Sequence, residues 1–300
     1  MFQCVPNLSE GRRPEVVEAL VAAVRRPGLR VADFSCDPDH NRMVISLLGD
    51  ALALEQAVLA LFGEAERHLS LETHQGAHPR IGVVDVVPFV PLLGVPMEEA
   101  VELARRVAAQ VAERFGLPVF LYEKAALRPE RTALPDIRKG QLEGLRQRLG
   151  QAGQEPDFGP ARLHPRLGAT VIGARLPLIA YNVVLDTDDL AAGQSIARRV
   201  RDRDGGLRSV RAIAVPLEER RRVQISLNLT DPGRTGLYTA LEMVRSEARR
   251  YGAQVLSSEV VGLCPLETLL EAGRYYLQLD NFKTGQVLEH QLWEMAQEAV

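Results

Sequence analysis

The sequence has little cysteine, and this excludes several kinds of site. Cys4, Cys36 and Cys264 are the three cysteines of a 300-residue chain, they lie far apart, and no Cys-x-x-Cys spacing occurs. Three scattered thiols offer neither a disulfide framework nor a zinc cluster. We therefore expect a cytoplasmic protein, because the reducing cytoplasm keeps thiols unpaired, and we expect no bound metal.

Long hydrophobic runs and strong charge of one sign are also missing. The longest uncharged stretch, residues 86–97, has 12 residues and contains three prolines, whereas a membrane span needs ~20 apolar residues. The first residues do not have the basic and apolar regions of a signal peptide. The formal net charge is −3 and neither half of the chain has a basic surplus. We therefore expect neither a membrane nor a nucleic-acid partner.

What is present is a repeated order of predicted elements, which favours two α/β units. The C-terminal half reads β-α-β-β-α-β, with strands over 178–185, 210–216, 222–229 and 254–261 and helices over 190–200 and 234–251. The N-terminal half reads the same way, with strands over 2–6, 29–34, 42–48 and 82–90 and helices over 14–25 and 51–68. We expect an α/β fold of two ferredoxin-like subdomains, residues 1–177 and 178–300, whose mixed sheets are covered by helices.

The connecting region is predicted to add further elements to the first unit. The pattern predicts an amphipathic helix over 97–115, a strand over 118–122 and a helix over 135–150. The stretch 150–167, with its glycines and prolines, is predicted to be a loop.

The densest polar stretch of the sequence is residues 73–91. His74 and His78 are four residues apart, which on a helix would suit a metal, but Gly76 and Pro79 argue against a helix. Asp85 is a lone carboxylate in an apolar strand, and such a group needs a partner, for which Arg80 or a histidine is expected. A histidine oriented by a carboxylate is suited to general acid–base catalysis. The alternative is a polar loop whose histidines only cap a strand.

Three other polar stretches are candidates for a binding site. Asn7 with residues 9–12, and residues 37–42, follow predicted strands, although turn formation alone can explain Asp, Asn and Gly there. In residues 156–175, Gly159, Gly168 and Gly173 are expected to let the backbone approach a flat ligand. Arginines of that stretch are expected to meet carboxylates. A Gly/Pro connecting loop is the alternative.

Six stretches, in one order along the chain, resemble the formiminotransferase domain family. They are CVPNLSEGR (4–12), DHNR (39–42), HQGAHPRIGVVDVVPF (74–89), PDFGP (156–160), GATVIGAR (168–175) and SEVVGL (258–263). The resemblance extends over residues 2–271 and agrees with two ferredoxin-like subdomains. It implies a homodimeric enzyme that moves a formimidoyl group between N-formimidoyl-L-glutamate and tetrahydrofolate in histidine degradation, with the folate as co-substrate and no metal.

The resemblance implies roles for His78 and the folate-contacting segment, and the chemistry of the reaction adds expectations for further residues. His78 matches the family's catalytic histidine, Asp85 is expected to hold its imidazole tautomer, and Arg80 or Arg175 is expected to bind carboxylates. The stretch matching the folate-contacting segment comprises Gly159, Pro160, Ala161, Arg162, Leu163, His164, Pro165, Arg166, Leu167 and Gly168. Further pocket candidates are Asn7, Glu10, Asn41, Arg42, His74 and Arg175. Two alternatives remain open, namely a glutamate formyltransferase acting on 5-formyltetrahydrofolate and a non-catalytic folate-binding protein.

Overall fold

A seven-stranded sheet organises the first of two units into which the chain divides, Met1–Leu176 and Pro177–Val300. The structure, a computed structural model, describes residues 1–38, 40–76 and 79–298. The first unit begins with β1 (Phe2–Cys4), β2 (Asn7–Leu8), α1 (Pro14–Val24), β3 (Leu29–Asp37), β4 (Arg42–Gly49), α2 (Ala51–His68) and β5 (Val84–Pro91). It continues with α3 (Met97–Phe115), β6 (Val119–Glu123), α4 (Leu134–Ile137), α5 (Gln141–Arg148) and β7 (Thr170–Ala174).

The sheet of the first unit has strands of both directions. β3 pairs with β4, the short β1 and β2 lie between β4 and β5, and all these pairs are antiparallel. β7 then pairs in parallel with β5 and β6. The predicted strand over residues 2–6 is interrupted at Val5 and Pro6, where proline has no N–H to give to the ladder. The mixed α/β class expected from the sequence is confirmed.

Two helices of the first unit have the predicted limits because their ends carry strong signals. Asp50 caps α2 by accepting the N–H of Ala53 at 2.8 Å, and Arg67 and His68 stand in its last turn. α3 ends at Gly116, whose φ of 61° is left-handed. Their apolar faces pack onto the sheet in one core that includes Leu54, Phe62 and Leu103.

Two predictions for the connecting region are wrong in detail. The helix predicted over 135–150 consists of α4 and α5, separated by a turn in which Gly140 has a φ of 74°. β7 was not predicted, because the glycines of residues 168–175 suggested a loop. In the structure, β7 is a central strand that is buried throughout.

The second unit has its own sheet and its own core. Its elements are β8 (Ile179–Leu185), α6 (Leu190–Val200), β9 (Val210–Leu217), β10 (Arg222–Leu229), α7 (Leu237–Arg249), β11 (Val255–Val261), α8 (Leu266–Leu277) and α9 (Leu288–Glu298). The strand order is β11-β8-β10-β9 and its pairs are antiparallel, so the mixed sheet expected here is wrong. The alternation of Val223, Ile225 and Leu227 turns one face of β10 into this core.

Membrane insertion of a helix finds no support in the described part of the chain. Residues 1–38, 40–76 and 79–298 contain no helix that combines the length and the apolar character needed to cross a bilayer.

Candidate functional site

Asp85 on β5 is a fully buried carboxylate at the centre of the candidate site. Its side chain is 0% exposed, as the apolar strand around it predicts. Oδ1 accepts the backbone N–H of Ile81 at 2.8 Å. Oδ2 accepts a hydrogen bond from the guanidinium group of Arg138 and lies 3.4 Å from Nη1 of Arg42. Two arginines therefore share one carboxylate oxygen.

The ion-pair partners of Asp85 differ from the expected one. Arg80 was expected, but its Nη2 donates to the backbone carbonyl of His74 at 2.9 Å instead. Arg42 lies at the start of β4 and also donates to Oδ1 of Asn7 at 2.6 Å, while Nδ2 of Asn7 donates to the carbonyl of Val5. The predicted pairing of Asp85 with Arg80 is therefore wrong. Asp85 and the side chains around it, those of Asn7, Arg42 and Arg138, are called the Asp85 group below. Asn7 and Arg42 were both predicted as site residues from the sequence.

Burial and the neighbouring charges act together on Arg42. Desolvation, and after it the like charge of Arg138, lower the pKa of Arg42 to about 10, while Asp85 acts in the opposite direction. Arg42 nevertheless keeps its charge at neutral pH. Arg42, Asp85 and Arg138 thus form a buried group in which two guanidinium groups meet one carboxylate.

A second network contains Glu10, Asn41 and His74. Oε1 of Glu10 accepts the backbone N–H groups of residues 11, 12 and 13, and its other oxygen pairs with the guanidinium of Arg13. Burial disfavours the charge of Glu10, but these donors outweigh burial and hold its pKa below the usual value. Oδ1 of Asn41 accepts the N–H of Gly11 at 3.0 Å, which ties the two loops together.

His74 is anchored to the same network by its ring. Its Nε2 lies 2.9 Å from the carbonyl oxygen of Asn41, and because a carbonyl only accepts, Nε2 carries the proton. Burial lowers the pKa of His74, so the ring is neutral near pH 7. Its Nδ1 is buried and, within the described residues, has no hydrogen-bond partner.

Two glycines permit the loops of this network to touch. A Cβ on Gly11 would lie 2.5 Å from the carbonyl oxygen of Asp37, and one on Gly76 would lie 2.3 Å from that of His40. Contacts this short exclude any side chain. The three motifs around residues 9–12, 37–42 and 74–76 therefore meet in space. They border a cavity of about 270 Å³ lined by Glu10, Asn41, Thr73, His74 and neighbouring residues.

The stretch predicted to contact folate also borders a cavity. Ala161, Arg162, Leu163, His164, Pro165 and Gly168 line a space of about 360 Å³ together with Leu71, Glu72, Leu142, Arg146 and Leu149. Of the remaining residues of that stretch, Arg166 donates to the carbonyl of Leu69, Leu167 is buried, and Gly159 and Pro160 precede the cavity lining in the chain. The loop over residues 69–74 borders both this cavity and the smaller one.

The glycines of that stretch lie in close contact with other backbone segments. A Cβ on Gly159 would lie 2.0 Å from the carbonyl oxygen of Leu117, and one on Gly168 would lie 2.4 Å from that of Ile81. On Gly173 it would strike Tyr122. These glycines therefore allow close approach of the chain to itself, and the expectation that they also let a flat ligand approach stays a prediction.

Arg175 follows β7 and stands near another buried group. Its guanidinium lies close enough to Tyr122 and Cys4 to lower their pKa values, although burial has the larger effect and raises both. Arg138 also acts on Tyr122. Tyr122 thus connects Arg175, a predicted site residue, with the Asp85 group.

His78, the predicted catalytic residue, lies outside the described residues. In the sequence, Gly76 precedes it by two residues and Ile81 follows it by three, and these two residues belong to the two networks described above. Among residues 1–38, 40–76 and 79–298, no three His, Cys, Asp or Glu side chains are grouped as a metal would require.

Sequence reasoning missed Arg138, Tyr122 and the α5 residues that line the larger cavity. Leu142 and Leu145 are buried on one face of α5, a pattern that the sequence does show. The pairing of Arg138 with Asp85 joins residues 53 positions apart, and no local pattern signals it.

Comparison with known proteins agrees with these motifs. Residues 1–175 match the N-terminal subdomain of the formiminotransferase domain, and residues 180–298 match the formiminotransferase domain. The chain is 41% identical over 294 residues to the glutamate formimidoyltransferase of Streptococcus pyogenes serotype M1, covering 97% of this chain and 98% of that protein. It is 42% identical over 299 residues to the protein of the same name from Thermoplasma acidophilum, with 99% and 98% covered.

Longer relatives contain the same region. The formimidoyltransferase-cyclodeaminase of Mus musculus is 39% identical over 282 residues, which are 92% of this chain and 52% of the mouse protein. The two family matches together account for nearly all of the described chain, and the residues that form the Asp85 and Glu10 networks lie within the first of them. The chain belongs to the formiminotransferase domain family.

Proposed function

We propose that the protein is a glutamate formimidoyltransferase, an enzyme that moves a formimidoyl group between N-formimidoyl-L-glutamate and tetrahydrofolate in histidine degradation. The observation that carries this proposal is the 41–42% identity, over nearly the full length of both chains, to two proteins of that name. Tetrahydrofolate is in this view a co-substrate. The protein is proposed to act without a metal, in the cytoplasm and as a homodimer.

The reaction sets clear requirements for the site. A nitrogen of tetrahydrofolate donates its electron pair to the formimidoyl carbon, the bond from that carbon to the glutamate nitrogen breaks, and a proton passes from the attacking nitrogen to the leaving one. A neutral histidine can take the first proton and return it to the second nitrogen. His78 is proposed for this role, since it matches the family's catalytic histidine and stands in the sequence between Gly76 and Ile81, which belong to the two networks of buried polar groups.

The cavity lined by residues 161–168 supports a place for the folate. It has walls of Leu71, Leu142 and Leu163 for an aromatic ring system, and Arg146 and Arg162 at its lining for the acidic end of the molecule. Residues of the loop 69–74 line both this cavity and the one beside the Glu10 network. A ligand here would therefore lie beside the loop that leads to His78.

An assay with both one-carbon donors tests the proposal. The purified protein is incubated with N-formimidoyl-L-glutamate and tetrahydrofolate, and separately with 5-formyltetrahydrofolate and L-glutamate. We expect rapid glutamate release in the first mixture and at least ~10-fold slower transfer in the second, because the relatives that match over their full length carry the formimidoyl name. The reverse preference would identify a formyltransferase. Folate binding without either transfer would identify a binding protein.

A further inference from the structure

The turn over residues 164–168 is closed by three hydrogen bonds that involve His164, and this segment is called the His164 turn below. The backbone N–H of His164 donates to the carbonyl of Gly168 at 3.0 Å, and the N–H of Gly168 donates to the carbonyl of His164 at 3.0 Å. The N–H of Leu167 donates to Nδ1 of the His164 ring at 3.0 Å. Leu167 is 1% exposed, so water has little access to replace this acceptor. The ring therefore holds the turn together.

The hydrogen bond from Leu167 decides which ring nitrogen of His164 carries the proton. Nδ1 accepts, so it presents its lone pair, and the hydrogen of the neutral ring is on Nε2. A protonated imidazole has an N–H on both nitrogens. In that form Nδ1 would face the N–H of Leu167 with a hydrogen of its own, and this hydrogen bond would be lost. The closed turn therefore requires the neutral ring.

The surroundings of His164 favour its neutral form. Burial has the largest effect and lowers the pKa of His164, Glu66 on α2 acts in the opposite direction, and Arg166 lowers the pKa again. Three further charged side chains line the same cavity, namely Glu72, Arg146 and Arg162. The ring is therefore neutral at pH 7 and takes up a proton in mild acid.

The His164 turn supports the wall of the larger cavity, the one of about 360 Å³. His164 and Gly168, the two ends of the turn, both line this cavity. The carbonyl of Arg166, inside the turn, accepts the N–H of Leu71 at 2.8 Å, and Leu71 lines the cavity as well. Opening of the turn would therefore displace several lining residues together.

We propose that His164 is a positioning residue for this cavity, and that protonation of its ring opens the His164 turn and weakens ligand binding. The inference rests on the proposed function for the identity of the ligand, a folate. A positioning role predicts that the KM for tetrahydrofolate depends on the state of His164, while kcat at saturating folate does not.

The affinity for folinate, measured by calorimetry between about pH 5 and pH 8, tests the inference. For the wild-type protein we expect a Kd that is constant in weak base and rises by about tenfold per pH unit below the pKa of His164. His164→Asn offers Oδ1 to the N–H of Leu167 but does not titrate. We expect this variant to keep the wild-type Kd within ~3-fold near pH 8 and to lose the rise in acid. A variant with the wild-type pH profile would overturn the inference.

His164→Leu removes the acceptor and leaves the N–H of Leu167 without its partner. We expect its Kd for folinate to be at least ~10-fold higher than that of wild type near pH 8, because a buried N–H is then unpaired. Urea unfolding establishes that both variants are folded. If His164→Leu and His164→Asn bind folinate equally well near pH 8, the hydrogen bond from Leu167 has no part in binding and the inference fails.

His68→Asn is the matched control. His68 lies at the end of α2, where its ring pairs with Glu64 at 2.9 Å, and it does not line the larger cavity. Its replacement should leave the pH profile of folinate binding unchanged. If His68→Asn also loses the rise in Kd in acid, the titrating group is not specifically His164 and the inference is overturned.

Nuclear magnetic resonance of the histidine rings separates the inference from the proposed function. In the ligand-free protein, long-range ¹H–¹⁵N spectra should show His164 with its proton on Nε2 near pH 8 and a titration midpoint below the ordinary pKa of histidine. This result would support the His164 turn even if neither one-carbon group were transferred. A proton on Nδ1 would overturn the inference even if the transferase assay succeeded. If folinate does not bind at all, the proposed folate cavity and the role of His164 in ligand binding are both contradicted.

Discussion

Proton transfer is the part of the proposed reaction that a single residue can supply. We predict that His78→Ala lowers kcat for formimidoyl transfer by ~10²–10⁴-fold, the range for loss of a general acid–base group. Folate binding, measured by calorimetry, should persist because the side chain acts on the proton and not on the ring system. His68→Ala is the control, since His68 pairs with Glu64 at the end of α2. A His78→Ala enzyme that retains most of its kcat would contradict the assignment of His78 as the acid–base residue.

At the same scale, the sequence predicted the burial of Asp85 but not its partners. A charged residue inside an apolar strand must be buried with a counter-charge, and this argument needs only neighbouring residues. The partners Arg42 and Arg138 stand 43 and 53 positions away. Arg80 is closer to Asp85 in sequence, but its guanidinium donates a hydrogen bond to the carbonyl of His74. Which arginine reaches a carboxylate depends on the packing of loops, and sequence spacing does not encode it.

At the scale of elements, the limits of α2 and α3 were predictable because capping signals and apolar faces agree there. The limits of the elements from α4 to β7 were not predictable, because residues of this segment make hydrogen bonds with distant parts of the unit. Phe158 pairs with Val119, and Ala169 donates its N–H to the carbonyl of Ile81. Glycine in this segment signals close packing as well as flexibility, and only tertiary contacts distinguish the two.

Gly168 permits a test of that distinction. We predict that Gly168→Ala lowers the free energy of unfolding by ~3 kcal/mol or more, because strain at a φ of 75° adds to a collision with the carbonyl of Ile81. Gly153→Ala, at a φ of 80° with open space around it, should lower it by only ~1–2 kcal/mol. Urea unfolding measures both. If both variants lose the same free energy of unfolding, the close approach of Gly168 to Ile81 contributes nothing to the difference.

The N-terminus of α1 depends on Glu10 in a way that pH should reveal. We predict that Glu10→Gln lowers the free energy of unfolding at pH 7 by ~1–3 kcal/mol, because the buried carboxylate binds three backbone N–H groups and Arg13. The pKa of Glu10 is lowered in the folded state. Its contribution is therefore complete above the unfolded pKa of ~4.3 and is lost as the pH falls through the lower folded value.

The difference between wild type and Glu10→Gln should accordingly shrink as the solution is acidified below the unfolded pKa. Glu15→Gln is the matched control, since Glu15 lies exposed in the first turn of the same helix. Its effect should stay within ~0.5 kcal/mol. A Glu10→Gln difference that persists unchanged in acid would mean that packing, and not the charge, accounts for it.

At the scale of the whole molecule, ligand binding should appear as added stability. Folinate, a stable analogue of the folate substrate, binds the folded chain in our proposal. At ~100 times its Kd it would contribute ~2.7 kcal/mol. For units of this size the melting temperature rises by roughly 2–4 °C per kcal/mol, so calorimetry would detect the shift easily. A ligand that bound elsewhere would stabilise the chain equally well, so a variant must locate the site.

Ala161→Trp supplies that variant, because Ala161 lines the larger cavity and its side chain is exposed. An indole there would occupy part of a space of about 360 Å³ that the folate ring needs. We predict that Ala161→Trp loses most of the folinate-induced rise in melting temperature. Ala152→Trp, at an exposed position earlier in the same loop and outside the cavity lining, should keep that rise. If both variants keep the full rise, the folate binds somewhere other than the cavity formed by residues 161–168.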